Sequence, residues 1–311
     1  MELKNIIFDT DIGGDCDDVT ALDVLIAAHK KGDCNLAAVT YSSLNRDASK
    51  CIYAILKEHG MENVPIGVRE IPDGCAGLDN YYASLLAESF YEKNAPVYED
   101  TQRAYKLMRK LLAQSDKCVI AATGFLSNLA ALLDSAPDEY SPLSGKELVK
   151  SKVEYFAVMC GDFRHTGLYP EREVKPTAEY NIMKDVTAAK YFFDNCPVPV
   201  YCLPFETGVD MISGVPITSS KNTPEALAFK RYGEIIKRAD FFGRDSWDPA
   251  TVLFALYGEQ DNFILSEPQS VRVSKDAMTD IERGGNVRII SCKAPKPEIG
   301  KRIDNIISEI F

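Results

Sequence analysis

Residues 5–28, NIIFDTDIGGDCDDVTALDVLIAA, decide how the rest of the chain is read. Asn5-Ile6-Ile7-Phe8 begins an apolar, β-branched run suited to a buried strand. Val19, Leu22, Leu25 and Ile26 then recur at helical spacing over residues 17–31, and Gly32 supplies a stop. Between strand and helix stand five aspartates, Asp9, Asp11, Asp15, Asp17 and Asp18. Like charges in one short turn repel, so folding them together requires a cation or bound protons. A set of oxygen donors suits a hard ion, Ca²⁺ or Mg²⁺. The plainer alternative is a solvated acidic turn that caps the following helix, but a cap needs one Asp.

Outward from this turn, short apolar runs alternate with amphipathic ones. Strands are expected at 36–41, 64–68, 118–122, 155–159 and 198–203, with helices at 47–59, 80–93, 101–114, 126–133 and 186–194. That alternation predicts an α/β fold, Rossmann-like, with a mostly parallel central sheet flanked by helices. Polar stretches near 69–79, 135–152 and 162–180 read as long loops, which are often functional. Beyond residue 208 the pattern changes: helices near 224–239, 249–257 and 298–310, and strand-like runs near 269–273 and 287–291. No internal repeat or linker interrupts residues 1–311, so one domain is expected, with its C-terminal third packed on the sheet. Ligands of such folds bind at the carboxyl ends of the strands. There the aspartate turn would meet Ser42 to Asn45, Thr123-Gly124 and the stretch from Cys160 to Asn181.

Composition narrows the classes. The 311 residues suffice for a large core, and the net charge of −11 argues against nucleic acid or an anionic membrane as partner. No apolar run is long enough for a membrane span, and no signal peptide precedes the first strand. Nine scattered cysteines without a C-x-x-C pair read as reduced thiols in a cytoplasmic protein. Three separated histidines, His29, His59 and His165, argue against a zinc site.

IIFDTDIGGDCDDVTAL resembles the opening of the inosine-uridine nucleoside hydrolase family, D-x-D-P-G-x-D-D-A, with two extra residues before the Asp-Asp pair. Further segments resemble that family in its order: AVTYSSLN ending at Asn45, AATGFLSNLA at 121–130, VMCGD at 158–162, AEYN at 178–181 and WDPATVLFAL at 247–256. The resemblance implies Ca²⁺-dependent hydrolysis of the N-glycosidic bond of a ribonucleoside. It implies Ca²⁺ held by Asp11, Asp18, the Thr123 carbonyl and Asp248, with Asp11 as general base on a water. It also implies Asp17 on the 2′-hydroxyl, with Asn45, Met159, Glu179 and Asn181 around the sugar. The transition state would resemble an oxocarbenium ion, which surrounding carboxylates stabilise. Members are often homodimers or homotetramers, so a homo-oligomer is expected.

Each assignment has a simpler counterpart. Asp248 before Pro249 could be a helix N-cap, and Asn45 likewise. Thr123-Gly124 could be only a strand-to-helix turn. Asp15 sits where the shorter family motif has the first Asp of its pair, so it is an extra ligand or an electrostatic partner. The family's uridine-cleaving members carry His before the metal-binding Asp; here Trp247 stands there, as in a purine-preferring subgroup. Trp247 would stack on the base, with Tyr81 or Tyr82 as a second ring, or else be a core residue. The segment expected to meet the 5′-hydroxyl falls near Glu173 or Val174.

Two rival classes compete. A haloacid dehalogenase-like Mg²⁺ phosphatase also opens with strand and D-x-D, but Gly13 and Thr166 stand where that motif set wants other residues. A non-catalytic Ca²⁺ or ribose binder on the same scaffold would keep the ligands and lose turnover. An EF-hand is excluded, because Thr20 occupies the twelfth loop position and a strand precedes the loop.

Overall fold

The computed structural model describes residues 3–69, 81–91, 103–166, 177–238 and 240–311. Twelve strands are present among them: β1 (Lys4–Thr10), β2 (Cys34–Tyr41), β3 (Ile66–Val68), β4 (Cys118–Ala122), β5 (Val153–Met159), β6 (Val200–Leu203), β7 (Ile212–Ser213), β8 (Arg244–Asp245), β9 (Phe263–Leu265), β10 (Gln269–Val273), β11 (Thr279–Arg283) and β12 (Val287–Cys292). The first seven helices are α1 (Asp17–Lys31), α2 (Ala48–Glu58), α3 (Ala83–Phe90), α4 (Ala104–Gln114), α5 (Ser127–Asp134), α6 (Gly145–Lys152) and α7 (Tyr180–Lys184). They are followed by α8 (Val186–Asn195), α9 (Phe205–Gly208), α10 (Val215–Ser219), α11 (Pro224–Ile235), α12 (Trp247–Tyr257) and α13 (Lys296–Ile307).

The main sheet runs β11-β10-β12-β6-β5-β4-β1-β2-β3, with β9 on β12. From β3 to β12 the pairings are parallel; β9, β10 and β11 add antiparallel pairs. The expected mostly parallel sheet is therefore the observed one. Strand alternation sends Ile6 and Phe8 to the core beneath α1, α2 and α12, and Ile7 to the other core beneath α4, α5 and α8. The chain runs outward from β1 to β2 and β3, then returns to lay β4 on the opposite side of β1. The carboxyl ends of β1 and β4 thus form a topological switch point, the usual crevice for a ligand in such sheets. Asp11 and Thr123 follow these two strands.

Two expectations change. Residues 135–152, read as a loop, contain α6. The C-terminal third does not merely pack on the sheet: β12 pairs with β6 and extends it. No helix among the described residues is long and apolar enough to cross a membrane. The segment around Glu173 and Val174 lies outside the described residues.

Candidate active site

Three backbone ties set the strand ends. Thr123 N–H donates to the Asp9 carbonyl at 2.7 Å, and Ser42 N–H donates to the Thr10 carbonyl at 2.8 Å. Gly124 passes so close to the aspartate turn that a Cβ there would lie 2.6 Å from Asp11 N and 2.3 Å from Ser42 Oγ. Beneath the turn, Asp9 is fully buried and does not reach the cavity; Thr40 Oγ1 and Asn128 Nδ2 donate to it at 2.5 and 2.8 Å. Burial raises its carboxyl to about 7 against those two hydrogen bonds.

Helices α1 and α12 both aim their N-termini at the turn. Asp17 and Asp18 occupy the first turn of α1, and Asp248 that of α12. Helix N-termini favour negative charge, which offsets part of the cost of gathering carboxylates. Asp17 Oδ2 accepts from the backbone N–H groups of Trp247 and Asp248, both at 3.2 Å, and so ties the two helices together. Thr10 Oγ1 donates to Asp18. Carboxylate oxygens of Asp11, Asp18 and Asp248 lie within 4.8 Å of one another. Burial, then the charges of Asp17, Asp18 and Asp11, pushes Asp248 well above the ordinary carboxylate value. Burial likewise carries Asp18 to about 7. Left without a cation, this group would hold protons; an oxygen-donor set with that much negative charge fits a hard divalent ion.

The cavity beside these carboxylates is about 390 Å³. Its walls include Asp11, Asp15, Asp17, Asp18, Thr123, Met159, Glu179, Asn181, Trp247 and Asp248, together with Tyr81. Glu179 accepts from the N–H groups of Asn181, Ile182 and Gly161 at 2.9, 3.2 and 3.0 Å, as the N-cap of α7. Asn181 Nδ2 donates to the carbonyls of Thr123 and Met159 at 2.8 and 3.1 Å. These bonds fix the polar floor and aim Asn181 at the same carbonyl that the family resemblance makes a metal ligand. A wider groove of about 920 Å³ runs along α11, but no converging carboxylates line it.

Three expectations need correction. Tyr82 is fully buried, donates to the Asp15 carbonyl at 2.8 Å and accepts from Gly13 N–H at 3.1 Å, so it props the aspartate turn from behind and cannot stack on a ligand. Asp15 does not join the three-carboxylate group; Arg244 binds it through Nε and Nη2, at 2.8 and 2.6 Å to its two oxygens, and Tyr232 adds a bond at 3.1 Å. The two-residue extension thus directs Asp15 to a guanidinium rather than to the cluster. Asn45 does not line the cavity; its Oδ1 accepts from Asp47 N–H at 2.9 Å and its Nδ2 is buried without a partner. The simpler alternative for Asp248 does not apply either: Ser246 takes the N-cap position of α12, without a side-chain cap bond, and Asp248 lies within the first turn.

Sequence reasoning found Trp247 but missed its partners in the aromatic wall. Trp247 stacks on Phe205 with centroids 5.5 Å apart and planes 25° apart, and donates Nε1–H to the Phe205 carbonyl at 2.7 Å. The Arg244 guanidinium lies 4.8 Å from the Trp247 ring, and that of Arg164 lies 4.9 Å from the Phe205 ring. The stacked ring pair thus has a guanidinium against each ring, and those cations pair with Asp15 and Asp162. Arg244 stands only three residues before Trp247, which was the available signal; nothing local in the sequence marks Phe205.

The model of the inosine-uridine preferring nucleoside hydrolase family matches residues 6–303. Searching curated protein sequences gave no match. Among solved structures, the chain is similar to a purine-preferring ribonucleoside hydrolase from Gardnerella vaginalis, with TM-score 0.74, 17% identity and 99% of each chain covered. It is also similar to the plant nucleoside hydrolase PpNRh1, with TM-score 0.70, 19% identity and coverage of 99% of this chain and 98% of that one. A third is the type III effector XopQ, solved with adenosine diphosphate ribose, with TM-score 0.69, 15% identity and coverage of 100% and 94%. At such identities the structures speak for the fold, whereas the family match spans nearly the whole chain. The chain belongs to the inosine-uridine preferring nucleoside hydrolase family, whose members are hydrolases of N-glycosyl bonds.

Proposed function

We infer that this protein hydrolyses the N-glycosidic bond of a ribonucleoside, or a related N-riboside, to free base and ribose. The observation that carries the reading is the meeting of Asp11, Asp18 and Asp248 within 4.8 Å at the switch point, on one wall of a cavity. Together with the Thr123 carbonyl they would hold Ca²⁺. Bound there, the ion would supply Lewis acidity and a place for the ribose hydroxyls. Asp11 faces the cavity and takes the proton of the attacking water. The C1′–N bond breaks as that water's oxygen bonds to C1′, and its electron pair leaves with the base. Asp17, Glu179 and Asn181 hold the sugar, and the carboxylate ring favours the positive charge developing on it. Trp247 and Phe205 line the cavity as a stacked aromatic pair beside which the base would lie, and this supports a purine preference. Reduced thiols among the described residues support a cytoplasmic setting.

Release of ribose from purine and pyrimidine nucleosides, and of adenine from adenosine diphosphate ribose, tests the reading with and without a chelator. Calcium-restored release is expected. Ca²⁺ binding with no release from any substrate would favour a binder on a hydrolase scaffold. Asp11→Ala should lower kcat by at least about 10²-fold while the calcium-free protein keeps a cooperative thermal transition; near-wild-type turnover would remove Asp11 from the role of base.

A further inference from the structure

We propose that Asp23, His59 and Glu225 form a second metal site, separate from the active-site carboxylates, for a first-row divalent cation of the zinc class. Asp23 lies inside α1, His59 follows the end of α2, and Glu225 is in the first turn of α11. Their ligand atoms lie within 4.8 Å of one another. His59 Nε2 is 3.1 Å from Glu225 Oε1 and 3.9 Å from Asp23 Oδ1. Donors on a tetrahedral zinc with bonds near 2.0 Å stand about 3.3 Å apart, so small side-chain adjustments would complete the shell.

Hydrogen bonding leaves the cluster incomplete. Asp23 and Glu225 are fully buried. Among the described residues, both oxygens of Asp23 and Oε2 of Glu225 have no hydrogen-bond partner. Buried carboxylates in that condition are costly unless a proton or a cation is present. A single imidazole N–H can serve Glu225 but leaves Asp23 unserved. Charge gives the same answer. A protonated His59 cancels one of two negative charges, whereas a divalent cation with neutral imidazole cancels both. Burial and then the charge of Glu225 hold the Asp23 carboxyl well above its ordinary range, in keeping with an absent counter-charge. One nitrogen and two carboxylates suit zinc or a neighbouring transition ion; Ca²⁺ and Mg²⁺ prefer oxygen alone. The Phe311 and His59 rings pack edge to face with centroids 5.9 Å apart.

Such an ion would tie α1, α2 and α11 behind the active site. Helix α1 begins with Asp17 and Asp18, and α11 carries Tyr232, which holds Asp15.

The test uses the full chain, stripped of metal, reloaded with Zn²⁺ in excess Ca²⁺, desalted, and assayed for metal content. One zinc per chain is expected, with a zinc-edge X-ray absorption spectrum showing an imidazole and oxygen donors at about 2.0–2.1 Å. His59→Gln and Glu225→Gln should lower retained zinc at least about tenfold and keep Ca²⁺, while Asp248→Asn should keep zinc. No retained zinc in the wild type, or an oxygen-only shell, overturns the proposal. Zinc unchanged in either variant, shown folded by circular dichroism, overturns it too. If neither variant folds, the wild-type stoichiometry and shell still decide.

Discussion

Arg244 works on two neighbours at once: it holds Asp15 in an ion pair and lies over the Trp247 ring. Replacing Asp15 by Asn would leave a partly buried guanidinium short of charge. The pair is about one-fifth to one-third exposed, so water shares the loss and about 1–2 kcal/mol of stability should disappear. Chemical denaturation of Asp15→Asn checks this, and calcium affinity should stay close to wild type because Asp15 is outside the cluster. Trp247→Ala should raise KM for purine nucleosides at least several-fold more than for uridine; equal effects on both would count against base stacking. Glu206 gives a pH-dependent prediction. Burial raises its carboxyl from the ordinary 4.5 to about 7, although it accepts from Phe163 N–H at 3.1 Å. The folded protein therefore keeps the proton to higher pH than the unfolded chain. The corresponding stability is complete below the unfolded value, and about 3 kcal/mol is lost as pH rises through 7. Glu206→Gln should match wild type near pH 4 and be more stable at pH 8, as read by melting temperature. Among single residues, the sequence exposed those with a tight motif context, Asp11, Asp18 and Asp248. It misplaced Tyr82 and Asp15, whose roles depend on partners many residues away, Tyr82 on Gly13 and Asp15 on Arg244.

At the scale of elements, the site is a meeting of helix starts and strand ends. α9 ends beneath the aromatic wall, and a Cβ on Gly208 would come within 2.4 Å of Trp247 Cδ1 and 2.7 Å of its Cα. Gly208→Ala must move the backbone at the start of α12 as well as the ring, at a cost of about 1–3 kcal/mol. Both melting temperature and purine KM should worsen, and a variant with wild-type values would detach α9 from the site. α1, with apolar residues at helical spacing and a stop at Gly32, was legible almost to the residue, although it is buried on nearly every side. α6 was not, because prolines and polar residues fill 135–152; yet Ser144 and Glu147 form a capping box there, a signal the reading did not use. β9 and β11 escaped notice for another reason: they are short and partly exposed, and what defines them is pairing with β12 and β10.

Across the whole molecule, one sheet joins the N-terminal strand to strands near residue 290, so the active-site carboxylates from Asp11 to Asp248 are referred to a common frame. A ligand that binds only this folded frame must stabilise it. At about 100 times its dissociation constant, calcium should add about 2.7 kcal/mol, or roughly 4 °C in melting temperature. A calcium-selective chelator should remove that increment in wild type and have no effect on Asp248→Asn. The order of strands could not be read from the sequence, since helical and strand periodicity give each element's type but not its neighbour; the switch point became visible only when β4 was found beside β1.

The stacked aromatic pair carries a practical corollary. Trp247 is the chain's single tryptophan, so excitation at the red edge of the absorption band addresses one indole, and that indole forms a wall of the cavity. The protein thus comes with its own optical probe: intrinsic fluorescence reports occupancy at the aromatic wall directly, in the native chain and without a label.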